Sequence, residues 1–362
     1  MGINETLQAA QLLHERGSKK HLRELERQAK QQAKLSAIEL ARLQVQTHES
    51  RLEVLLSVHK EQSETWDWGA FAASLPPPSP ARFSLREFTA KQIAELRDLT
   101  DGQAATNLQD APAFDENEYQ TALEDYSKEN AEREKMRSLA LRILAGEHKA
   151  YTEALAEFSA LAEISELGSA IHFTVHNAKL LECHLKVNGR QAIPAEAKSL
   201  TASGKLSIKP MPKTRFHEIY QDYVCGCVLR VAREVFALLP IETALITASV
   251  ETVDSSTGRP VERPVLSVAI PRIVLATLDF NALDPSDAIE NFLHHGDVMV
   301  SRRSGEFEAI LPIRVADLPT SITEVKSIDE LLAITRNLRE EIKSEIRNLS
   351  IQATVNSAQT PI

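Results

Sequence analysis

Cys225-Gly226-Cys227 places two thiols two residues apart, a spacing that invites a soft metal ion or a redox disulfide. On a helix, however, residues two apart point roughly 200° away from each other, so both thiolates reach one ion only if the helix breaks. The apolar surroundings make these core cysteines. His294-His295 with Asp297 supply ligand-type side chains, but adjacent histidines splay and no second cluster accompanies them. His172, His176 and His184 fall on a predicted strand pair, where even spacing puts His172 and His176 on one face. Glu251, Asp254 and Glu262 are the carboxylates a metal-dependent nuclease would set on neighbouring strands. Two of them lie at the predicted turn, and the second strand, Val265 to Ile270, holds neither lysine nor carboxylate. There is no phosphate-cradling glycine loop, dinucleotide fingerprint or nucleophile elbow. The reading is therefore of a chain with no assigned catalytic residue, no metal and no cofactor.

The strongest local charge asymmetry is basic. Lys198, Lys205, Lys209, Lys213 and Arg215 occur between Ala197 and Arg215 with no acidic residue among them, and Arg302 and Arg303 follow later. Together these residues define a candidate surface for an anionic ligand, carried by a segment that Ser203-Gly204 and Pro210 to Pro212 mark as a loop. The whole chain has a net charge of -10, which argues against a protein that coats DNA generally.

These residues must be positioned by a central stretch from Thr214 to Ile313. Phe216, Ile219, Tyr220, Tyr223, Cys227, Val231, Val235 and Leu238 recur at three- and four-residue steps, predicting an amphipathic helix that Pro240 ends. Ala244 to Val253 fills both alternating faces with β-branched and small residues, as an interior strand does, and Asp254 to Gly258 is a turn leading to a second strand at Val265 to Ile270. Asp284-Pro285-Ser286-Asp287 reads as a helix start with Asp284 as the cap, the helix continuing through Leu293. Asp297 to Val300 and Phe307 to Ile313 are expected as a last pair of short strands. Ile171, Phe173 and Val175, then Leu181, Cys183, Leu185 and Val187, alternate as an antiparallel pair extending the same sheet.

The flanks are helical. Residues 5–62 contain no proline and one glycine and predict a long helix, basic in its first half and packed on a neighbour from Ile38 to Val58. Trp66, Trp68 and the prolines from Pro76 to Pro80 interrupt it, with partial order expected to 113. Asp115 with Glu118 forms a capping-box-like start to a helix ending at Gly146, and a second helix follows to about Gly168. Ser327 with Glu330 opens a near-heptad helix through Leu349, and the last dozen residues lack periodicity. The expected architecture is α+β, mostly antiparallel: long N-terminal helix 1–65, Trp/Pro-rich linker 66–113, helical hairpin 114–168, α+β domain 169–315, C-terminal helix 316–350 and tail 351–362.

Three cysteines with no paired framework fit a reducing compartment, and the N-terminal residues lack the apolar core of a secretory leader. No apolar run reaches the ~20 residues of a membrane span. A soluble cytoplasmic protein is expected.

Arg51 to Lys60, the Trp68-proline segment, Ile193 to Leu200, Tyr220 to Pro240 and Asp284 to Phe292 resemble a group of uncharacterised bacterial proteins, over about residues 38–313. The resemblance implies bacterial origin and a shared architecture; it carries over no activity and no site residue. The expected function is that of an interaction or scaffold protein whose helices at 5–62 and 327–349 bind a protein partner or a second copy. The alternative is a nucleic-acid-associated protein or nuclease using the basic segment.

Overall fold

A computed structural model describes residues 37–96, 102–161, 170–254, 256–297, 300 and 307–318. With 49% helix and 20% strand, the protein is α+β. It forms two compact units: the helical Asp67–Leu144, and a second unit whose described residues lie within 37–66 and 145–318. Among the described residues no helix is long and apolar enough to cross a membrane.

The second unit is built on a five-stranded sheet of β1 (Ala170–Val175), β2 (Leu180–Val187), β5 (Thr243–Val253), β6 (Pro260–Pro271) and β7 (Leu293–His295), in that spatial order. Only β2 and β5 pair in parallel; the other neighbours are antiparallel. The parallel step needs a crossover, and the chain supplies it through a hairpin, β3 (Glu196–Leu200) and β4 (Leu206–Pro210), and the long helix α6 (Lys213–Leu238). Leu181, Cys183, Leu185 and Val187 stand in register with Ala244, Ile246, Ala248 and Val250, giving an apolar face from which water is excluded. On the opposite face Leu245, Ala269 and Leu293 pack with Ile313, and Val315 and Leu318 lie against that cluster.

The periodicity expects α6 to bury one stripe. The helix is instead buried nearly all round, from Tyr223 to Leu238 except Arg233, because α1 (Ala37–Ser57) packs on it as well as the sheet. Arg230 and Glu234 are enclosed with it, 3.1 Å apart and each almost fully buried, and Glu234 Oε1 also accepts from Ser63 N at 2.8 Å. Trp66 N donates to Ala237 O and its ring meets Phe158 of α5 (His148–Phe158) at 4.7 Å, so the chain after α1 is pinned along α6.

In the helical unit, α2 (Trp68–Ala72) and α3 (Leu85–Leu96) occupy the segment expected as a linker, and both pack against α4 (Gly102–Leu144). Arg133 Nη1 donates to Ser74 O at 3.1 Å and Arg137 Nε to Ala72 O at 3.2 Å, so two cations close the carbonyl end of α2. The helix expected to begin at Asp115 runs from Gly102 straight through Pro112. Asp115 is a cap after all, but for α3.

The region from Pro285 onward also differs from expectation. The helix α8 (Pro285–Ile289) follows a one-turn helix α7 (Arg272–Leu275) and stops four residues short of Leu293, which pairs with Ala269 as the first residue of β7. Residues 307–313 form no strand; Ile310 N donates to Pro264 O and Ile313 N to the Ser267 hydroxyl, so the segment is held to β6 by single bonds. The predicted helix segments 5–36 and 327–349 and the tail lie outside the described residues.

Candidate functional site

The basic segment is a hairpin rather than a loop. Glu196 to Leu200 pairs with Leu206 to Pro210, and Gly204, at φ 77°, takes the left-handed position of the turn. Leu200, Leu206 and Ile208 alternate with polar residues at the period of a strand, a pattern obscured in the sequence by its lysines, serines and prolines. Pairing divides the cations. Lys198 is opposite Ile208 and Lys209 is opposite Ala197, which puts the two lysines on different faces. Lys198 faces α1, where its charge adds to burial in holding the His48 imidazole below its usual range. Lys205 and Lys209 are exposed, as are Lys213 and Arg215 in the first turn of α6. That helix starts at Pro212, which provides no side-chain cap, while Arg215 pairs with Glu218 at 3.4 Å. Arg302 and Arg303 lie outside the described residues.

Most of the expected metal-type groups have structural partners. His172, His184, Thr247, Ser267 and His295 form one row across all five strands. His176, expected to share a strand face with His172, lies just beyond the end of β1 and sits 2.7 Å from Glu182, whose other oxygen is 3.3 Å from His184. His294 and His295 splay, their Nδ1 atoms lying 3.0 Å from Phe292 O and 3.0 Å from Leu311 O respectively. Cys225 and Cys227 are free and buried, and burial pushes the Cys227 thiol up to about 12. Glu251 pairs with Lys186 at 2.5 Å, Glu262 accepts from Ser249, and Asp254 accepts from the amide and hydroxyl of Ser256 in its own turn. Among the described residues no group of three His, Cys, Asp or Glu side chains has metal-holding geometry.

Sequence reasoning missed a pair of acids joined by a serine. The Ser286 hydroxyl is 2.7 Å from Asp284 Oδ1 and 3.1 Å from Asp222 Oδ1. Asp284 Oδ1 also accepts from Ser286 N and Asp287 N, as a cap should. A hydroxyl has one proton to give. The two carboxyl groups therefore compete for it. Burial, reinforced by the Asp284 charge, pushes the Asp222 carboxyl up to about 6. Nearby, burial holds the His59 imidazole down at about 4, and neither ring nitrogen has a hydrogen-bond partner. Asp222 lies 62 residues before Asp284 in the chain. Only the capping half of the arrangement is local enough to be legible.

The surface most unlike a solvated one is apolar and belongs to the helical unit. Leu85, Thr89 and Ile93 follow one another at four-residue steps along α3 and face Ala111 and Phe114 of α4 across a cleft of about 360 Å³. Phe114 is 52% exposed, Leu85 69% and the adjacent Phe88 61%, too large a share for side chains seated in a core. Arg86 stacks 5.1 Å over Phe114 at one edge.

No protein family, curated protein or solved structure matches this chain.

Proposed function

We propose that this is a cytoplasmic interaction protein without chemistry of its own, and that its helical unit binds an amphipathic helix in the α3–α4 groove. The observation that supports this reading is the line of exposed Leu85, Ile93 and Phe114 along that groove, a shape that takes side chains spaced at i, i+4 and i+7. The chain contains such a segment. Ile328, Leu331, Leu338, Ile342 and Leu349 recur near a heptad, making 327–349 of a second copy the natural occupant. Free buried cysteines support a reducing compartment. Sedimentation equilibrium of the full chain should show concentration-dependent self-association, abolished by Ile93→Asp or Phe114→Asp. A labelled 327–349 peptide should bind the wild type and not these variants. Monomeric behaviour together with no peptide binding would exclude the reading.

A second reading rests on Lys205, Lys209, Lys213 and Arg215, which flank an α6 N-terminus without a side-chain cap and so supply positive charge to an anionic backbone. Nucleic-acid binding there should weaken steeply with salt. Replacing Lys205, Lys209 and Lys213 by Ala should reduce both affinity and salt slope, and unchanged values would dismiss this surface.

A further inference from the structure

Two arginines of the second unit line one cleft, and among the described residues neither is in an ion pair. Arg233 comes from α6 and Arg272 from the start of α7, and with Gln62, Phe236, Leu275 and Phe280 they border a space of about 390 Å³. That volume falls within the range of small-molecule sites. Arg233 Nη1 donates to His59 O and Glu61 O, and its Nη2 to Gln62 Oε1; Arg272 Nε donates to Ile241 O and its Nη2 to Leu239 O. Every one of these acceptors is a neutral carbonyl. Among the described residues neither guanidinium has a carboxylate within ion-pair distance. The nearby acid Glu234 is committed to Arg230 and Ser63 N, and Asp279, on the cleft wall, accepts from Asn281 N. Burial, with the Arg230 charge adding to it and Glu234 opposing it, pushes Arg233 down to about 10, and burial lowers Arg272 as well, so enclosing these cations carries a cost that no direct ion pair offsets.

The cations are also held rigidly. Arg233 lies 4.0 Å over the Phe280 ring and Arg272 4.8 Å over Phe236, so both guanidinium planes are fixed before any ligand arrives. Arg272 Nη1 and Arg233 Nε take no part in the carbonyl bonds above and are left to meet an acceptor. Leu275, Leu278 and Ala276 add apolar wall.

We propose that this cleft binds a small organic anion, its phosphate or carboxylate head on Arg233 and Arg272 and its apolar body against Phe236, Leu275 and Leu278. The head supplies the direct ion pair that the fold gives neither cation. The body replaces water on the apolar wall.

The test uses the full chain with three probes, phenyl phosphate, inorganic phosphate and benzoate, in calorimetric titration and thermal melting. Phenyl phosphate or benzoate should bind and raise the melting temperature. Inorganic phosphate binding without benzoate binding assigns a phosphate head, and benzoate binding without it a carboxylate head. Replacing either arginine also removes ties to the backbone, so the decisive variant is Ala276→Glu, an exposed residue of the cleft wall that would set a carboxylate against the guanidiniums. This variant should fold as well as the wild type and bind the probes at least about tenfold more weakly. No binding by any probe up to about 10 mM, or equal binding by the Ala276→Glu variant, would overturn the proposal.

Discussion

Asp115 of α4 caps α3 through Glu87: Asp115 Oδ2 accepts from Glu87 N at 2.8 Å while Oδ1 accepts from Arg86 N at 3.0 Å. The first turn of α3 has amides with no intrahelical partner, and a buried carboxylate from another helix supplies two acceptors at once. Asp115→Ala should lower stability by about 0.5–2 kcal/mol and speed hydrogen exchange at the Arg86 and Glu87 amides. Asp115→Asn, which keeps one acceptor oxygen, should lose less. Equal losses for Ala and Asn in chemical denaturation would show that the caps are not the source.

That contact also marks where the sequence was legible. Asp284 caps amides two and three residues ahead, and its role was readable from Asp-Pro-Ser-Asp alone. Asp115 offers the same chemistry to amides 28 and 29 residues back, and no local pattern distinguishes a carboxylate that caps its own helix from one that caps a neighbour. The β5–β6 hairpin and α6 were visible because long apolar periodicity survives any context. The β3–β4 pairing was not, since five-residue strands of lysine, serine and one or two aliphatic residues carry too little signal. The Arg233–Arg272 cleft joins side chains from separate elements whose only sequence mark is charge.

Asp222 and His59 should give opposing pH dependences. The Asp222 carboxyl, pushed up to about 6 from an unfolded value of ~3.9, retains a proton that the unfolded chain has lost. Its stabilising effect is complete below that lower value and is lost as pH rises through about 6. The His59 imidazole, held down at about 4 against ~6.5 unfolded, does the reverse: its effect is complete above ~6.5 and is lost as pH falls through about 4. Between these limits the two slopes oppose. Asp222→Asn should make stability fall more steeply on acidification than in the wild type, and His59→Leu should make it fall less steeply or rise. Urea midpoints measured across about pH 4 to pH 7 would decide the matter, and three parallel profiles would refute both assignments.

Asp284 is assigned to structure. Asp284→Ala should cost about 0.5–2 kcal/mol, whereas Asp284→Asn and Asp284→Ser, which also accept from exposed amides, should recover most of it in thermal melts. Both Asp284→Ala and Asp284→Asn also remove a charge that raises Asp222, so the Asp222 carboxyl should titrate lower in carbon-detected NMR. An Asn variant of full stability that eliminates the cellular phenotype would instead make Asp284 a functional acid.

Gly226 explains the Cys-Gly-Cys sequence without metal chemistry. It lies within α6, where alanine is ordinarily preferred to glycine by about 1 kcal/mol. A Cβ at this position would stand 2.8 Å from Val58 Cγ1 and 3.7 Å from His59 Nδ1. Val58 and His59 are themselves buried, at 6% and 2% exposure, so neither can swing into solvent to make room. Overpacking of this kind costs about 1–3 kcal/mol, enough to outweigh the gain in helix propensity. Gly226→Ala should therefore destabilise the protein although it improves the helix. Val58→Ala removes the obstructing methyl and should also destabilise on its own, through the space it leaves. Combined, the two changes should cost less than their sum by about 0.5–2 kcal/mol, because the new methyl occupies room the valine has vacated. Strict additivity in this double-mutant cycle, or a Gly226→Ala protein more stable than the wild type, would show that the residues following α1 are not seated on this glycine.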